Sequence, residues 1–296
     1  HDHRGEALRE AIAKKQETSA ECVTVGCGSV GLLQQAYSAY VDACDEVVYP
    51  WRSFEVHPIF SAIAQANAVT VPLRDQAFDL DAVQKAVTAK TKLVILSTPN
   101  NPTGTVCGTD DLKNLLSGIS ENVVVIIDEA YLDFVTDKSV RNPVKEILPE
   151  FPNAVVFRTF SKAYGLANLR VGYAIGNSEI IGAIDKVALP FLVNGLAQTA
   201  VLASLEKEAE RELWDRVDEV ISERQRVYDV LTADGWPVTR SQANFLWLPL
   251  QGEAVAVFQQ LESSGIVTRP FENEGIRVTI GTPDENDRFF DAIGSR

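Results

Sequence analysis

The chain contains the sequence Ala154-Val155-Val156-Phe157-Arg158-Thr159-Phe160-Ser161-Lys162-Ala163-Tyr164-Gly165-Leu166-Ala167-Asn168-Leu169-Arg170, in which an apolar run precedes a turn of small residues. In that turn Lys162 stands between a hydroxyl residue and an arginine. A neighbouring cation such as Arg170 makes a lysine ammonium easier to deprotonate and can grip a phosphate in bidentate fashion. Ser161 adds a hydroxyl donor. The pattern is typical of a lysine that forms an imine with a phosphate-bearing cofactor, although a Ser-Lys pair near an arginine is more often a solvated loop.

Four other short runs rich in β-branched residues precede this one, and helical or polar segments separate them. They cover residues 46–49, 68–73, 93–96 and 123–127. Alternation of strands and helices predicts an α/β fold with a mostly parallel sheet that is covered on both faces. In such sheets the ligand lies at the carboxyl ends of the strands.

The N-terminal part predicts a helix over residues 5–15 and a strand at residues 23–25. The loop Gly26-Cys27-Gly28-Ser29 follows and opens a second helix over residues 32–41. A helix start offers free N–H groups and the positive end of a dipole, which together favour an anion. Glycines before a helix also simply permit a tight turn.

The C-terminal part predicts one long helical stretch over residues 196–231, with its charged residues on a solvated face. Strands at residues 244–248, 265–269 and 276–280 and a helix over 254–263 then form a compact α+β lobe. We therefore expect a large cofactor-binding domain over residues 1–193, and a linking helix with a small C-terminal domain over residues 194–296.

Polar motifs follow two further strands of the predicted sheet, Pro99-Asn100-Asn101-Pro102-Thr103-Gly104 and Asp128-Glu129-Ala130-Tyr131. An electron-sink cofactor needs a carboxylate at its pyridine nitrogen and donors to its ring oxygen. Asp128 suits the first task, because a buried aspartate is costly unless it is paired. Tyr131 and Asn101 suit the second. The alternatives are a helix N-cap for Asp128, ordinary packing for Tyr131 and an Asn-Pro turn for Asn101.

These motifs, together with residues 161–170, resemble those of fold-type I aminotransferases, and in particular of the histidinol-phosphate aminotransferase family, from about His1 to the C-terminus. The segments at residues 26–30, 51–55 and 241–249 most resemble the actinobacterial aromatic (phenylalanine) aminotransferases. The resemblance implies a three-layer large domain with a mostly parallel sheet, a smaller C-terminal α+β domain and pyridoxal 5'-phosphate as cofactor.

The resemblance also implies a role for each matching residue. Lys162 is expected to hold the cofactor covalently and to move the substrate proton, Asp128 to pair with the pyridinium, and Asn101 and Tyr131 to donate to the ring oxygen. The groups expected to bind the phosphate are Gly28, Ser29, Val30, Thr159, Ser161 and Arg170.

An aromatic ring is expected to stack on the cofactor from the segment after Pro50. Trp51 and Phe54 both remain candidates, because Arg52 departs from the commoner Pro-x-Tyr pattern of the family.

Three residues are candidates for substrate binding. Arg277 matches the family arginine that grips the substrate α-carboxylate as a fork, and an arginine inside an apolar strand independently favours an anionic partner. Arg269 is expected to contact a side-chain group of the substrate. Asn194 lies near the substrate in similar proteins, and a helix N-cap explains it equally well.

Composition limits the other function classes. With 27 basic against 41 acidic residues, the net charge of −14 argues against a nucleic-acid-binding surface. No apolar run is long enough for a membrane span, and the polar start is no signal peptide. We therefore expect no nucleic-acid or membrane partner and a cytoplasmic location.

The four cysteines, Cys22, Cys27, Cys44 and Cys107, form no C-x-x-C pair. We interpret them as reduced thiols in or near the core, with no metal site. The chain contains no Met, which predicts a truncated sequence. The resemblance implies a further N-terminal segment that reaches the neighbouring subunit's cofactor, and hence a homodimer.

The leading functional hypothesis is an aromatic amino-acid aminotransferase acting on phenylalanine, tyrosine or tryptophan and a 2-oxo acid whose identity the sequence leaves open. The nearest alternative is histidinol-phosphate aminotransferase. A decarboxylase of the same fold is a third interpretation. A cofactor-binding domain of a transcription regulator is disfavoured, since no basic helix-turn-helix precedes the sheet.

Overall fold

The computed structural model describes residues 2–296 and contains a large seven-stranded sheet and a small three-stranded sheet. The strands of the large sheet are β1 Val23–Cys27, β2 Glu46–Trp51, β3 Asn67–Pro72, β4 Thr91–Ser97, β5 Val124–Asp128, β6 Ala154–Thr159 and β7 Val171–Gly176. Their order is β1-β7-β6-β5-β4-β2-β3. Strands β3, β2, β4, β5 and β6 pair in parallel, whereas β7 is antiparallel to both of its neighbours. The predicted α/β class with a mostly parallel sheet is confirmed.

Helices cover both faces of this sheet. They are α1 Glu6–Gln16, α2 Gly28–Tyr40, α3 Val56–Ile63, α4 Leu80–Ala86, α5 Thr109–Ser117, α6 Pro143–Glu146 and α7 Ser178–Lys186. Along β4, Leu93 and Ile95 pack in the core beneath α2 and α7, while Val94 and Leu96 pack in the core beneath α1 and α5. Because successive side chains of a strand point to opposite faces, an almost uninterrupted apolar strand is buried between two layers of helices.

The remaining elements surround the small sheet, whose order is β8-β10-β9. They are α8 Gly195–Ser204, α9 Lys207–Ala233, β8 Phe245–Leu248, α10 Ala254–Ser263, β9 Arg269–Phe271, β10 Gly275–Thr279 and α11 Pro283–Ile293. A separate apolar core lies between this sheet and the helices α9, α10 and α11. The division at residues 193 and 194 stays a prediction.

The prediction of one long helix over residues 196–231 is wrong, because two helices, α8 and α9, occupy this stretch and Leu205 and Glu206 separate them. The two helices pack in different places. Ala197 and Val201 of α8 lie in the core of the large sheet, whereas Val227 of α9 lies in the core of the small sheet. Neither break residue is a Gly or Pro, so the sequence carried no strong signal for it.

Two further boundaries differ from prediction. The prediction of a strand at residues 265–269 is wrong apart from Arg269, because β9 begins only there. Gly265 has φ +77° and follows the end of α10 in a turn in which the Ile266 N–H donates to the Leu261 carbonyl. Gly26-Cys27-Gly28-Ser29 is not a loop, since β1 runs to Cys27 and α2 begins at Gly28.

The four cysteines form no disulfide within the described residues, but Cys44 is exposed, which corrects its expected place in or near the core. None of the helices within residues 2–296 combines the length and the apolar character that crossing a membrane requires.

Candidate active site

A cavity of about 310 Å³ opens at the carboxyl ends of β4, β5 and β6, where the large sheet faces the small one. It is lined by Ser29, Val30, Phe54, Glu55, Ser97, Pro99, Asn101, Asp128, Ala130, Tyr131, Thr159, Ser161, Lys162, Ala167, Arg170, Arg269 and Arg277. The cavity therefore brings together most residues that the sequence predicts for the site. Gly28, Trp51 and Asn194 do not line it.

Asp128 is the last residue of β5 and lies at the base of the cavity, only 3% exposed. Burial raises the pKa of its carboxyl to about 7, while a hydrogen bond from the Ala130 N–H at 3.2 Å and the positive charge of Lys162 act in the opposite direction. The N-cap alternative does not hold for an α-helix here, because a short 3-10 helix follows, beginning at Leu132. A cation placed in the cavity beside Asp128 would stabilise the carboxylate.

Lys162 follows β6 and is exposed at the cavity. Its ammonium nitrogen lies 5.1 Å from the centre of the Tyr131 ring. Tyr131 is buried and packs edge-on against Phe245 of β8, with the ring centres 5.0 Å apart. The tyrosine is thus fixed between the two sheets, with the lysine beside its face.

Hydroxyl and guanidinium groups gather at another part of the cavity, near the start of α2. The Thr159 hydroxyl donates to the Ser161 hydroxyl oxygen at 2.9 Å, and a guanidinium nitrogen of Arg170 lies 3.5 Å from that oxygen. Ser29 and Val30 line the cavity in the first turn of α2. Donors of this kind at a helix N-terminus are suited to bind an anion.

Gly28 supports this site without lining the cavity. It has φ +69°, its N–H donates to the Arg170 carbonyl at 3.1 Å, and a Cβ at this position would collide with the Arg170 guanidinium. Only glycine therefore lets the arginine lie against the helix start.

Arg277 of β10 approaches the cavity from the small sheet. Its Nη1 donates to the Asn101 Oδ1 at 2.5 Å, and its guanidinium lies 4.9 Å from the centre of the Phe245 ring. Its Nε is buried and has no hydrogen-bond partner among residues 2–296. An arginine with an unused, buried donor is suited to a carboxylate ligand.

Asn100, next to Asn101, plays a different part, since its side chain is buried and bonds to Ser53 and Thr103. It holds the shape of the loop, while Asn101 faces the cavity.

The structure distinguishes the two residues that are candidates for stacking on the cofactor. Phe54 lines the cavity. Trp51 does not, and the Arg52 guanidinium lies 4.2 Å from its ring centre while Tyr49 packs against its edge. The geometry therefore favours Phe54 as the residue in contact with a cavity ligand.

Asn194 caps α8, with its side-chain oxygen accepting from the Ala197 N–H at 2.9 Å. This is the alternative that the sequence left open, and Asn194 is not among the cavity-lining residues. Its role in substrate binding stays a prediction.

Sequence reasoning missed two acidic residues. Glu55 lines the cavity and pairs with Arg269, with Oε2 and Nη2 2.8 Å apart. Glu129 is buried and accepts from the Arg158 Nε at 2.8 Å, behind the site. A charged Arg158 at the end of an apolar strand was a signal for such a partner, whereas Glu55 had none beyond its place next to Phe54.

Comparisons with known proteins agree on one family. Residues 3–293 match the family model described as aminotransferase class I and II. Curated relatives named aromatic amino acid aminotransferase include one from Thermobifida fusca, 46% identical over 95% of this chain and 78% of its own. Another is from Streptomyces coelicolor, 47% identical over 90% of this chain and 74% of its own.

A solved structure of histidinol-phosphate aminotransferase from Sinorhizobium meliloti, in complex with pyridoxal-5'-phosphate, superposes with a TM-score of 0.91 at 26% identity. The superposition covers 98% of this chain and 80% of the chain of that enzyme. A Thermus thermophilus aspartate aminotransferase mutant, 24% identical with a TM-score of 0.83, shares the fold; the match covers 96% of this chain and 85% of that one.

Proposed function

This chain belongs to the class I and II aminotransferase family, and we propose that it moves an amino group between an aromatic L-amino acid (phenylalanine, tyrosine or tryptophan) and a 2-oxo acid. The family that the sequence motifs predicted is thereby confirmed. The aromatic substrate is supported by curated relatives of that name, which are 43% to 47% identical to this chain over most of its length.

The observation that carries this proposal is the burial of Asp128 at the base of the cavity, where no side chain among residues 2–296 forms an ion pair with it. A buried, ionisable carboxyl is costly on its own, so it fits a ligand that brings a positive charge. Lys162 and the anion-binding turn at Ser161 and Arg170 fit an aldehyde and a phosphate on the same ligand. These three groups together match pyridoxal 5'-phosphate, which we propose as the cofactor.

When bound, pyridoxal phosphate supplies an aldehyde for the amino group and a ring that withdraws electrons from the substrate Cα. Asp128 would stabilise positive charge at the ring nitrogen, while Tyr131 and the Asn101 amide would donate to the ring oxygen. Phe54 would contact the ring. Lys162 would take the proton from the substrate Cα and deliver it to the carbon that carried the aldehyde, acting first as the base and then as the acid.

The phosphate is held in this proposal by the turn after β6 and the first turn of α2. Ser161 and Thr159 would donate hydrogen bonds from their hydroxyl groups, Arg170 would supply a charged fork, and the Ser29 and Val30 N–H groups would add the helix N-terminus.

Arg277 binds the substrate α-carboxylate. Its unpartnered Nε supplies one donor of the fork, and Nη1 exchanges or shares its present bond to Asn101. Binding at Arg277 positions the substrate Cα over the cavity floor, within reach of Lys162.

A second candidate function is histidinol-phosphate transamination. It is favoured by the similarity to the solved Sinorhizobium meliloti enzyme, with a TM-score of 0.91 at 26% identity. Both reactions would use Lys162 and Asp128, but histidinol phosphate carries a phosphate ester next to its amino carbon and no α-carboxylate. The two substrates therefore differ at the group that faces Arg277 as well as in the side chain.

Steady-state rates with phenylpyruvate and with imidazole acetol phosphate separate the two functions. We expect a higher kcat/KM for phenylpyruvate, and a clear preference for the phosphorylated substrate would reject the aromatic assignment. The variant Lys162→Ala tests the shared chemistry, and turnover at a normal rate in this variant would refute the role of the lysine.

We further propose a homodimer in the cytoplasm. Support for the dimer comes from large apolar side chains that are exposed between α7 and the first turn of α8, at Leu189, Phe191 and Leu196. Light scattering tests the mass in solution, and a monomer at micromolar concentration would contradict the proposal. Cell fractionation tests the location.

A further inference from the structure

We propose that Arg52 is a positioning residue for substrate binding. It holds the β9–β10 hairpin (residues 269–279) over the cavity, so that Arg277 stays where it can bind the substrate α-carboxylate. The inference rests on the proposed function, because that carboxylate belongs to the substrate of the same cavity. Arg52 itself does not line the cavity, so it acts through the hairpin and not on the ligand.

The Arg52 guanidinium joins the segment before α3 to the hairpin. Its Nε donates to Oε2 of Glu274 at 2.8 Å, and its Nη2 donates to the other carboxylate oxygen, so the pair is bidentate. The guanidinium also lies 4.2 Å from the centre of the Trp51 ring and 5.3 Å from the centre of the Phe271 ring. Since a planar guanidinium stacks on aromatic faces, the two rings and the carboxylate fix its orientation.

The backbone of Arg52 is anchored next to the site. Its carbonyl accepts from the side chain of Asn100, which is fully buried, and the next residue, Asn101, accepts from Arg277. Glu274 lies three positions before Arg277 in the chain. These contacts close into a ring, whose members are Asn100, Arg52, Glu274, Arg277 and Asn101. The hairpin is therefore held to one asparagine pair at two points.

A bound substrate competes for one of these two points. A carboxylate that binds Arg277 as a fork takes up guanidinium donors, so the bond to Asn101 has to be exchanged or shared. The Arg52 contact with Glu274 keeps the hairpin in place during this exchange. Without that contact, only a fraction of the molecules would have Arg277 in place, and the apparent affinity would fall by that fraction.

A second ion pair reaches the hairpin, between Arg269 and Glu55, but it is more exposed to solvent. Its side chains are 57% and 41% exposed, against 20% for Arg52 and 35% for Glu274. Exposed ion pairs contribute little, because solvent screens them and long side chains lose freedom. We therefore expect the Arg52 contact to carry the larger share of the hold on the hairpin.

The test measures the binding of 3-phenylpropionate to the enzyme loaded with pyridoxal phosphate. This probe is phenylalanine without its amino group, so it presents the carboxylate and does not react. In Arg52→Gln we expect its Kd to rise about tenfold, because glutamine lacks the charge and the fork. Arg52→Lys should have an intermediate effect. The affinity for pyridoxal phosphate, measured by equilibrium dialysis, should stay within about twofold, since Arg52 does not line the cavity.

A double-mutant cycle with Arg277 distinguishes positioning from a general loss of stability. In the Arg277→Gln background the carboxylate has no fork to bind, so Arg52→Gln should change the Kd by less than about twofold. A rise of the same size in both backgrounds would show that Arg52 does not act through Arg277.

The matched control is Arg226→Gln. Arg226 also pairs with a carboxylate, that of Glu223 at 2.7 Å, and lies 5.2 Å from the centre of the Phe290 ring. All three residues belong to helices around the small sheet, α9 and α11. This variant should lower the melting temperature and leave the Kd of 3-phenylpropionate unchanged. If Arg52→Gln fails to fold, Glu274→Gln breaks the same contact and should raise the Kd in the same direction.

Hydrogen exchange tests the hold on the hairpin without any substrate. The backbone amides of residues 269–279 should exchange about tenfold faster in Arg52→Gln than in the unmodified enzyme, and at the unmodified rate in Arg226→Gln. Unchanged exchange in Arg52→Gln would overturn the inference.

The outcomes separate this inference from the proposed function. An unmodified enzyme without activity on phenylalanine, tyrosine or tryptophan would reject the proposed function. An active unmodified enzyme whose Kd for 3-phenylpropionate does not change in Arg52→Gln would overturn the role of Arg52 alone.

Discussion

The Arg277 guanidinium donates to the Asn101 side-chain oxygen at 2.5 Å, and this bond joins the small sheet to the loop after β4 across the cavity. The contact leaves the Arg277 Nε buried and unpartnered among residues 2–296. One arginine thus connects the two sheets and keeps an unused donor at the cavity. We infer that ligand binding and the relative position of the two sheets are coupled through this residue.

Replacing Arg277 by Lys should weaken substrate binding more than it slows the chemical step. Lysine keeps the positive charge but cannot form the planar fork that binds a carboxylate in bidentate fashion. We expect the KM for phenylalanine to rise by about 10- to 100-fold, with a smaller fall in kcat. Steady-state kinetics measure this, and the cofactor absorbance spectrum serves as the control. An unchanged KM would show that the α-carboxylate binds elsewhere.

Asp128 should make the cofactor-free protein less stable as the pH rises. Burial raises the folded-state pKa to about 7 from an ordinary value of 3.8, so the folded protein binds this proton more tightly than the unfolded chain does. The contribution of this proton to the free energy of unfolding is fully present below about pH 4 and is lost as the pH rises through about 7. The free energy of unfolding falls by at most about 4 kcal/mol through this group.

The variant Asp128→Asn isolates this effect, because asparagine has the same shape and does not titrate. Urea unfolding of the cofactor-free protein at about pH 4.5 and at about pH 8 measures the effect. The free energy of unfolding should fall less in the variant than in the unmodified protein. A fall of the same size in both proteins would place the titration on other groups. Saturating pyridoxal phosphate should flatten the pH dependence of the unmodified protein, since a pyridinium stabilises the carboxylate.

Phe54 and Trp51 should differ in their effects when each is replaced by leucine. Phe54 lines the cavity, whereas Trp51 packs between Tyr49 and the Arg52 guanidinium. We expect Phe54→Leu to weaken pyridoxal phosphate binding about tenfold through the lost ring contact. Trp51→Leu should lower the melting temperature and leave that affinity within about threefold.

Equilibrium dialysis measures the affinity without relying on tryptophan fluorescence, which the Trp51 variant alters. The assignment of Phe54 would be reversed by a weaker affinity in Trp51→Leu than in Phe54→Leu.

The centre of the large sheet could be predicted from the sequence because its strands are apolar on both faces. Residues 93–96 and 123–127 read as continuous apolar runs, and the structure has β4 and β5 at these positions. Strand β7 was missed, since Val-Gly-Tyr-Ala-Ile-Gly contains two glycines and no strong turn signal. Its close packing requires one of them, because a Cβ at Gly172 would collide with the Ser29 backbone.

The site residues were predictable where a motif follows a strand, as Asp128 and Lys162 do. Contacts that join distant parts of the chain were not, because local patterns carry no information on pairing across more than 200 residues. Glu55 and Arg269 are 214 positions apart, and Arg52 and Glu274 are 222 apart. Their pairing depends on how the small sheet lies over the cavity.

The Glu129 and Arg158 pair should be the most sensitive ion pair of the molecule. Both side chains are buried, and Arg158 also donates to Gln16 at 2.8 Å and to Asn142 at 2.9 Å. The pair joins the ends of β5 and β6, one residue away from Asp128 and Thr159. Glu129→Gln leaves a buried guanidinium without its counter-charge, so we expect a loss of about 3–5 kcal/mol in the free energy of unfolding.

Two further variants distinguish the charge from the packing. The double change Glu129→Leu with Arg158→Met removes both charges and should recover much of the lost stability, because a buried ion pair is often replaceable by apolar side chains of similar volume. Glu150→Gln breaks the partly exposed pair with Lys113 and should cost about 1 kcal/mol or less. Urea unfolding measures all three. If Glu129→Gln were no more destabilising than Glu150→Gln, the buried pair would not be what holds the ends of β5 and β6 together.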